Sequence, residues 1–85
     1  MEILYKPTFV QKFNKLDKDL QDEVLEKIEL FKNINNHSSL KVHKLHGKLQ
    51  NCYSFYVNYK TRIVFMWKNK KEVVLIVIGD HDIYK

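Results

Sequence analysis

The chain has 85 residues, 45% of them hydrophobic and 13% aromatic, and a formal net charge of +5. That length fits one small domain over 1–85 with a single core, and the apolar share excludes intrinsic disorder. The longest apolar run, Val73 to Ile78, is strand-sized and falls well short of the ~20 residues of a membrane helix. Glu2, Lys6 and Pro7 interrupt any secretory leader, so the expected location is the cytoplasm, with no membrane partner.

Cys52 is the one cysteine. It excludes an internal disulfide and a multi-cysteine metal site, and its strand-like apolar surroundings predict a buried structural thiol. Charge is unevenly placed: residues 1–39 carry six lysines against seven acids, and residues 40–85 carry eight lysines and one arginine against three acids. Basic charge gathered on one part of a small domain is the footprint of a polyanion or of an acidic protein partner, although surface lysines also serve solubility.

Glu2 to Lys6 is a β-prone run ended by Pro7, which suits the first turn of a helix. Phe9, Phe13 and Leu16 then recur at helical spacing opposite Gln11, Lys12, Asn14 and Lys15, predicting a short amphipathic helix. Asp17 and Asp19 supply capping carboxylates for a second helix. Its apolar stripe is Leu20, Val24, Ile28 and Phe31, broadened by Leu25 and Leu30, and it must lie on a sheet. Asn33 to Ser39 is a polar loop, in which His37 is expected to be solvent-exposed.

Lys41 to Lys48, K-V-H-K-L-H-G-K, packs three lysines and two histidines into eight residues. Three strand-like runs follow, Asn51 to Asn58, Thr61 to Lys68 and Glu72 to Ile78, joined by hairpin-length connections. In the first two, Tyr53, Phe55, Val57, Ile63, Phe65 and Trp67 form an apolar face; Ser54, Tyr56 and Arg62 fall on the other. The third is apolar on both faces and is broken at Gly79. The predicted fold is α+β, in the order β-α-α-β-β-β, with a helical hairpin on one face of a twisted antiparallel four-stranded sheet.

This order, with the K-L-H-G turn at Lys44 to Gly47, C-Y-S-F-Y-V at Cys52 to Val57, T-R-I-V-F at Thr61 to Phe65 and the terminal I-G-D-H-D-I-Y, resembles the RelE/ParE superfamily of bacterial and archaeal toxins. The resemblance covers nearly the whole chain. It implies the toxin of a type II toxin–antitoxin pair, of the RelE/YafQ-like branch that cleaves messenger RNA, usually on the ribosome. The implied partners are a cognate antitoxin with an acidic or amphipathic segment, messenger RNA and the ribosome. Arg62 matches the family's arginine at the scissile phosphate, His81 a C-terminal catalytic histidine, His43 the histidine of the YafQ-like branch, and Tyr84 a C-terminal tyrosine. Ser54 and Tyr56 stand where RelE carries two lysines, so histidines would replace the lysine-based chemistry.

Cleaving RNA by internal transesterification needs a base for the 2′-hydroxyl, a cation for the phosphorane oxygens and an acid for the 5′-oxygen. Histidine, with an ordinary pKa of about 6.5, suits the first and third roles. Arginine suits the second through its planar, permanently charged fork. The catalytic candidates are therefore His81, His43 and Arg62. Lys41, Lys44 and Lys48 would track the RNA backbone, and Tyr56 or Tyr59 would stack on a base.

The plainer reading leaves His81 and His46 exposed and pairs Arg62 with Asp80 or Glu72 across the sheet. His43, His46, Asp80, His81 and Asp82 include metal ligands, but H-x-x-H outside a helix is a weak pattern, and the chemistry calls for no metal or other cofactor. The alternatives to an endoribonuclease are a ParE-like inhibitor of DNA gyrase, which has no use for converging Arg62, His43 and His81, and a decayed toxin that only binds its antitoxin.

Overall fold

The structure, a computed structural model, describes residues 1–84; the side chains of Lys48, His81 and Tyr84 lie outside the described residues. Strand β1 (Glu2–Tyr5) leads into helix α1 (Pro7–Asn14), which has proline in its first turn. Helix α2 (Lys18–Phe31) opens on Asp17, whose side chain accepts from the Leu20 amide at 2.9 Å. Gln21 Nε2 donates to the Phe13 carbonyl at 3.0 Å, tying α2 to the end of α1.

The remaining strands are β2 (His43–Lys44), β3 (Tyr53–Tyr56), β4 (Thr61–Trp67) and β5 (Glu72–Asp80). They form a five-stranded sheet in the order β1-β5-β4-β3-β2. The helical hairpin, α+β composition and β3-β4-β5 meander match the sequence-based expectation. Two details differ. His43–Lys44 adds a short edge strand to the expected four, and β1 runs parallel to β5, pairing Ile3 with Val73 and Leu4 with Val74.

A bulge explains why β5 is apolar throughout. Val64 pairs with Val77 but Phe65 pairs with Leu75, leaving Ile76 as the extra residue. The shift in parity turns Val73, Leu75 and Ile78 all toward the helices, where each is buried. Thr8 Oγ1 donates to the Ile76 carbonyl at 2.5 Å, tying α1 to the bulge.

Val24, Ile28 and Phe31 of α2 and Phe9 of α1 close the core against Phe55, Ile63, Phe65 and the inward residues of β5. Phe31 is its centre, stacked on Phe55 at 4.3 Å and edge-on to Phe65 at 4.8 Å between ring centroids. Leu25 and Leu30 do not broaden the buried stripe; both are exposed, because the face of α2 that meets the core is the one carrying Val24, Ile28 and Phe31. His37 is not solvent-exposed either. Its ring stacks on Phe31 at 4.7 Å and Nε2 donates to the Phe31 carbonyl at 2.8 Å, which caps the open end of α2.

Gly79 does not break the third strand. It pairs with Arg62 inside β5, and a side chain there would collide with Ile83 Cγ2 from the single helical turn His81–Tyr84. Paired residues share a face, so that turn folds over the Arg62 side of the sheet.

Candidate active site

Because β2, β3 and β4 pair His43 with Ser54 and Tyr56 with Arg62, all four residues occupy the face turned away from the helices. The polar loop after α2 brings in a fifth. Tyr56 N donates to the Leu40 carbonyl at 2.9 Å, which sets Lys41 beside Tyr56. Lys41 holds a left-handed backbone with φ of 57°, an arrangement that costs a non-glycine residue about 1–3 kcal/mol. The turn it makes presents its carbonyl to His43 Nδ1 at 2.8 Å.

Tyr56 is the hub of this cluster. The Arg62 guanidinium carbon lies 3.5 Å from the centre of its ring, Lys41 Nζ lies 5.2 Å away, and His43 meets it edge-on at 6.4 Å. Arg62 is only 8% exposed. Its hydrogen bonds run from Nη1 to the Asn58 carbonyl at 2.7 Å and the Thr61 carbonyl at 3.4 Å. Among the described residues it has no carboxylate partner, and the expected pairing with Asp80 or Glu72 does not form. A nearly buried cation without a counter-charge is costly unless an anion completes it. The chain carries no acid between Glu29 and Glu72, so the cluster lies in a wholly basic stretch.

Asn58 positions the arginine's acceptor. Its Oδ1 accepts from the Lys60 and Thr61 amides at 2.9 and 2.8 Å, closing the β3–β4 turn, while Nδ2 donates to Glu23 Oε1 on α2 at 2.8 Å. Nothing in the spacing of the motifs marks Asn58; its N-Y-K-T turn context was the only available signal.

A carbonyl can only accept, so His43 Nδ1 carries the hydrogen in its bond to Lys41 and the Nε2 lone pair is left to accept a proton. His43 is exposed at the sheet edge. Lys44 pairs with Tyr53 and therefore falls on the helix side, away from Arg62. His46 is exposed and Gly47, with φ of 73°, starts the turn Gly47–Leu49 that contains Lys48. His81 and Tyr84 belong to the turn that covers the Arg62 face, but their side chains, like that of Lys48, lie outside the described residues. Ser54 is fully buried under this face. Cys52 is partly buried, and burial pushes its thiol above the ordinary range, which leaves it protonated and unsuited to attack.

The five-stranded sheet with a helical hairpin on one face is a fold that the chain shares with solved structures of toxins, in agreement with the fold that the motif resemblance implies. Among solved structures, the chain is similar to the conserved hypothetical protein HP0894 from Helicobacter pylori, with a TM-score of 0.75, 20% identity and 96% of each chain covered. It is similar to YafQ from Escherichia coli BL21(DE3), with a TM-score of 0.75, 16% identity and coverage of 96% of this chain and 94% of that one. The YoeB–YefM toxin–antitoxin heterotetramer from Staphylococcus aureus matches with a TM-score of 0.74, 18% identity and coverage of 95% and 97%. No family model matches the chain, and no curated protein sequence matches it.

Proposed function

We propose that the protein is the toxin of a type II toxin–antitoxin pair and an endoribonuclease that cleaves messenger RNA, on the ribosome, without a metal. The observation that carries this reading is the nearly buried Arg62, stacked on Tyr56 and lacking a carboxylate partner among the described residues. An RNA phosphate supplies the missing charge and matches the geometry of the guanidinium fork. The shared fold of toxin–antitoxin complexes such as YoeB–YefM supports the toxin assignment and an antitoxin partner.

In the proposed reaction His43 Nε2 takes the proton from the 2′-hydroxyl, and the 2′-oxygen attacks phosphorus. The hydrogen bond from Nδ1 to the Lys41 carbonyl supports this role, since it orients the ring and stabilises the imidazolium that forms. Arg62 neutralises the phosphorane oxygens. The bond to the 5′-oxygen breaks as His81 protonates it, leaving a 2′,3′-cyclic phosphate and a 5′-hydroxyl. Lys41 and Lys48 draw in the phosphate backbone, with Lys44 adding charge at the edge, and Tyr84 contributes to RNA binding. Tyr56 holds Arg62 in place.

The test is cleavage of ribosome-bound messenger by the purified protein. The native chain should give 2′,3′-cyclic phosphate ends, and His81→Ala and Arg62→Met should not. Full cleavage by Arg62→Met would remove the basis of the reading.

A further inference from the structure

Beside the cationic cluster a cleft of about 410 Å³ runs between α2 and the β3–β4 turn. This falls within the roughly 300–1,000 Å³ of small-molecule sites. It shares two residues with the cluster, Lys41 and Tyr56, and extends from them to Lys27 of α2 and Tyr59 at the tip of the turn. Leu30 and Leu40 supply apolar wall. None of these residues is held by the reaction chemistry except through Lys41 and Tyr56.

Two of the lining groups are unusual for a plain surface. Tyr59 is 79% exposed, with its ring presented to solvent and Lys60 Nζ 5.9 Å from its centre. Lys27 is half-buried and has no ion pair among the described residues, although Glu23 and Glu26 lie on the same helix. Glu23 is turned the other way, bonded to Asn58 Nδ2. Asn58 and Tyr59 therefore form a divide. On one side lie Lys27 and Lys41; on the other, Asp17, Asp19, Asp22, Glu23 and Glu26 line a separate depression. A polyanion leaving the Arg62 site meets repulsion beyond the divide and attraction in the cleft.

We infer that this cleft is a second nucleotide subsite, in which the base of a nucleotide flanking the scissile phosphate stacks on Tyr59 while its phosphate lies between Lys27 and Lys41. The inference rests on the nuclease reading and adds to it a specificity-determining site outside the chemistry. An aromatic face beside paired cations is the combination that single-stranded nucleic acid uses, and stacking accepts any base while favouring the larger ones. The subsite thus gives the enzyme a preference for purine at one flanking position. It also sets a minimum substrate longer than a dinucleotide.

The test is binding of non-cleavable 2′-O-methyl RNA of two and of six nucleotides to the intact protein, followed by fluorescence anisotropy at several salt concentrations. Tyr59→Ala should weaken hexamer binding about tenfold, and Lys27→Gln should lower its salt slope by about 0.7, with dinucleotide binding unchanged in both. Arg62→Met should weaken both ligands. Hexamer binding that responds to Arg62→Met but not to Tyr59→Ala or Lys27→Gln would overturn the subsite and leave the nuclease reading standing. Indifference of both ligands to all three changes would overturn the two together. If a glutamate-rich peptide alone responded to Tyr59→Ala and Lys27→Gln, the cleft would belong to an acidic protein segment and the subsite would be refuted. Circular dichroism of each variant separates these results from loss of fold.

Discussion

The guanidinium carbon of Arg62 lies over the ring of Tyr56, 3.5 Å from its centre, on neighbouring strands that pair these two residues directly. The contact holds a permanently charged fork within the cationic cluster. Stacking of this kind contributes about 0.5–2 kcal/mol. Tyr56→Phe, which keeps the ring, should therefore retain the cleavage rate within about threefold, while Tyr56→Leu should lower it roughly 2- to 30-fold. Steady-state kinetics on one RNA substrate compares the two; equal losses would show that the hydroxyl, and not the stack, is what matters.

Arg62 itself should separate activity from stability. Loss of a phosphate-stabilising donor lowers turnover by roughly 10²–10³-fold. A nearly buried cation without a carboxylate partner does not help the fold, so Arg62→Met should hold or raise the thermal midpoint. A calorimetric scan beside the activity assay measures both. A clear drop in the midpoint would make Arg62 a structural residue.

Gly79 ties the C-terminal turn to the sheet. Gly79→Ala places a methyl group against Ile83 Cγ2 and should destabilise the protein by about 1–3 kcal/mol. Ile83→Ala in the same chain should recover much of that loss, a coupling that urea titration of the four-variant cycle detects. Simple addition of the two effects would mean that the turn does not pack on Gly79.

The two flanks of α2 should respond very differently to truncation. Phe31 is fully buried between Phe55, Phe65 and His37, and Phe31→Ala should cost about 3–5 kcal/mol. Leu25 is 50% exposed, and Leu25→Ala should stay within about 0.5 kcal/mol. Chemical denaturation of each variant checks the contrast.

Much of this architecture follows from local patterns. The stripe Leu20, Val24, Ile28 and Phe31 and the alternation through Tyr53, Phe55, Ile63 and Phe65 define the core because period and burial coincide. What escaped those patterns depends on contacts between distant segments. His37 is drawn inward by the ring and the carbonyl of Phe31 at the helix end. Gly79 serves a close approach inside a strand, not a break. The parallel pairing of β1 with β5 joins residues about 70 positions apart, beyond the reach of any local signal. At the site, Arg62 and His43 were legible from their motifs, whereas Tyr56 as the group that joins them, and Asn58 as the arginine's acceptor, depend on strand register and on the tether to Glu23.

Primer extension on translated messengers after induced expression tests most directly whether Arg62 and its neighbours cut messenger RNA. New 5′ ends within coding regions are expected for the native chain and none for Arg62→Met at equal protein levels. Growth arrest with altered DNA supercoiling and intact messengers would contradict it.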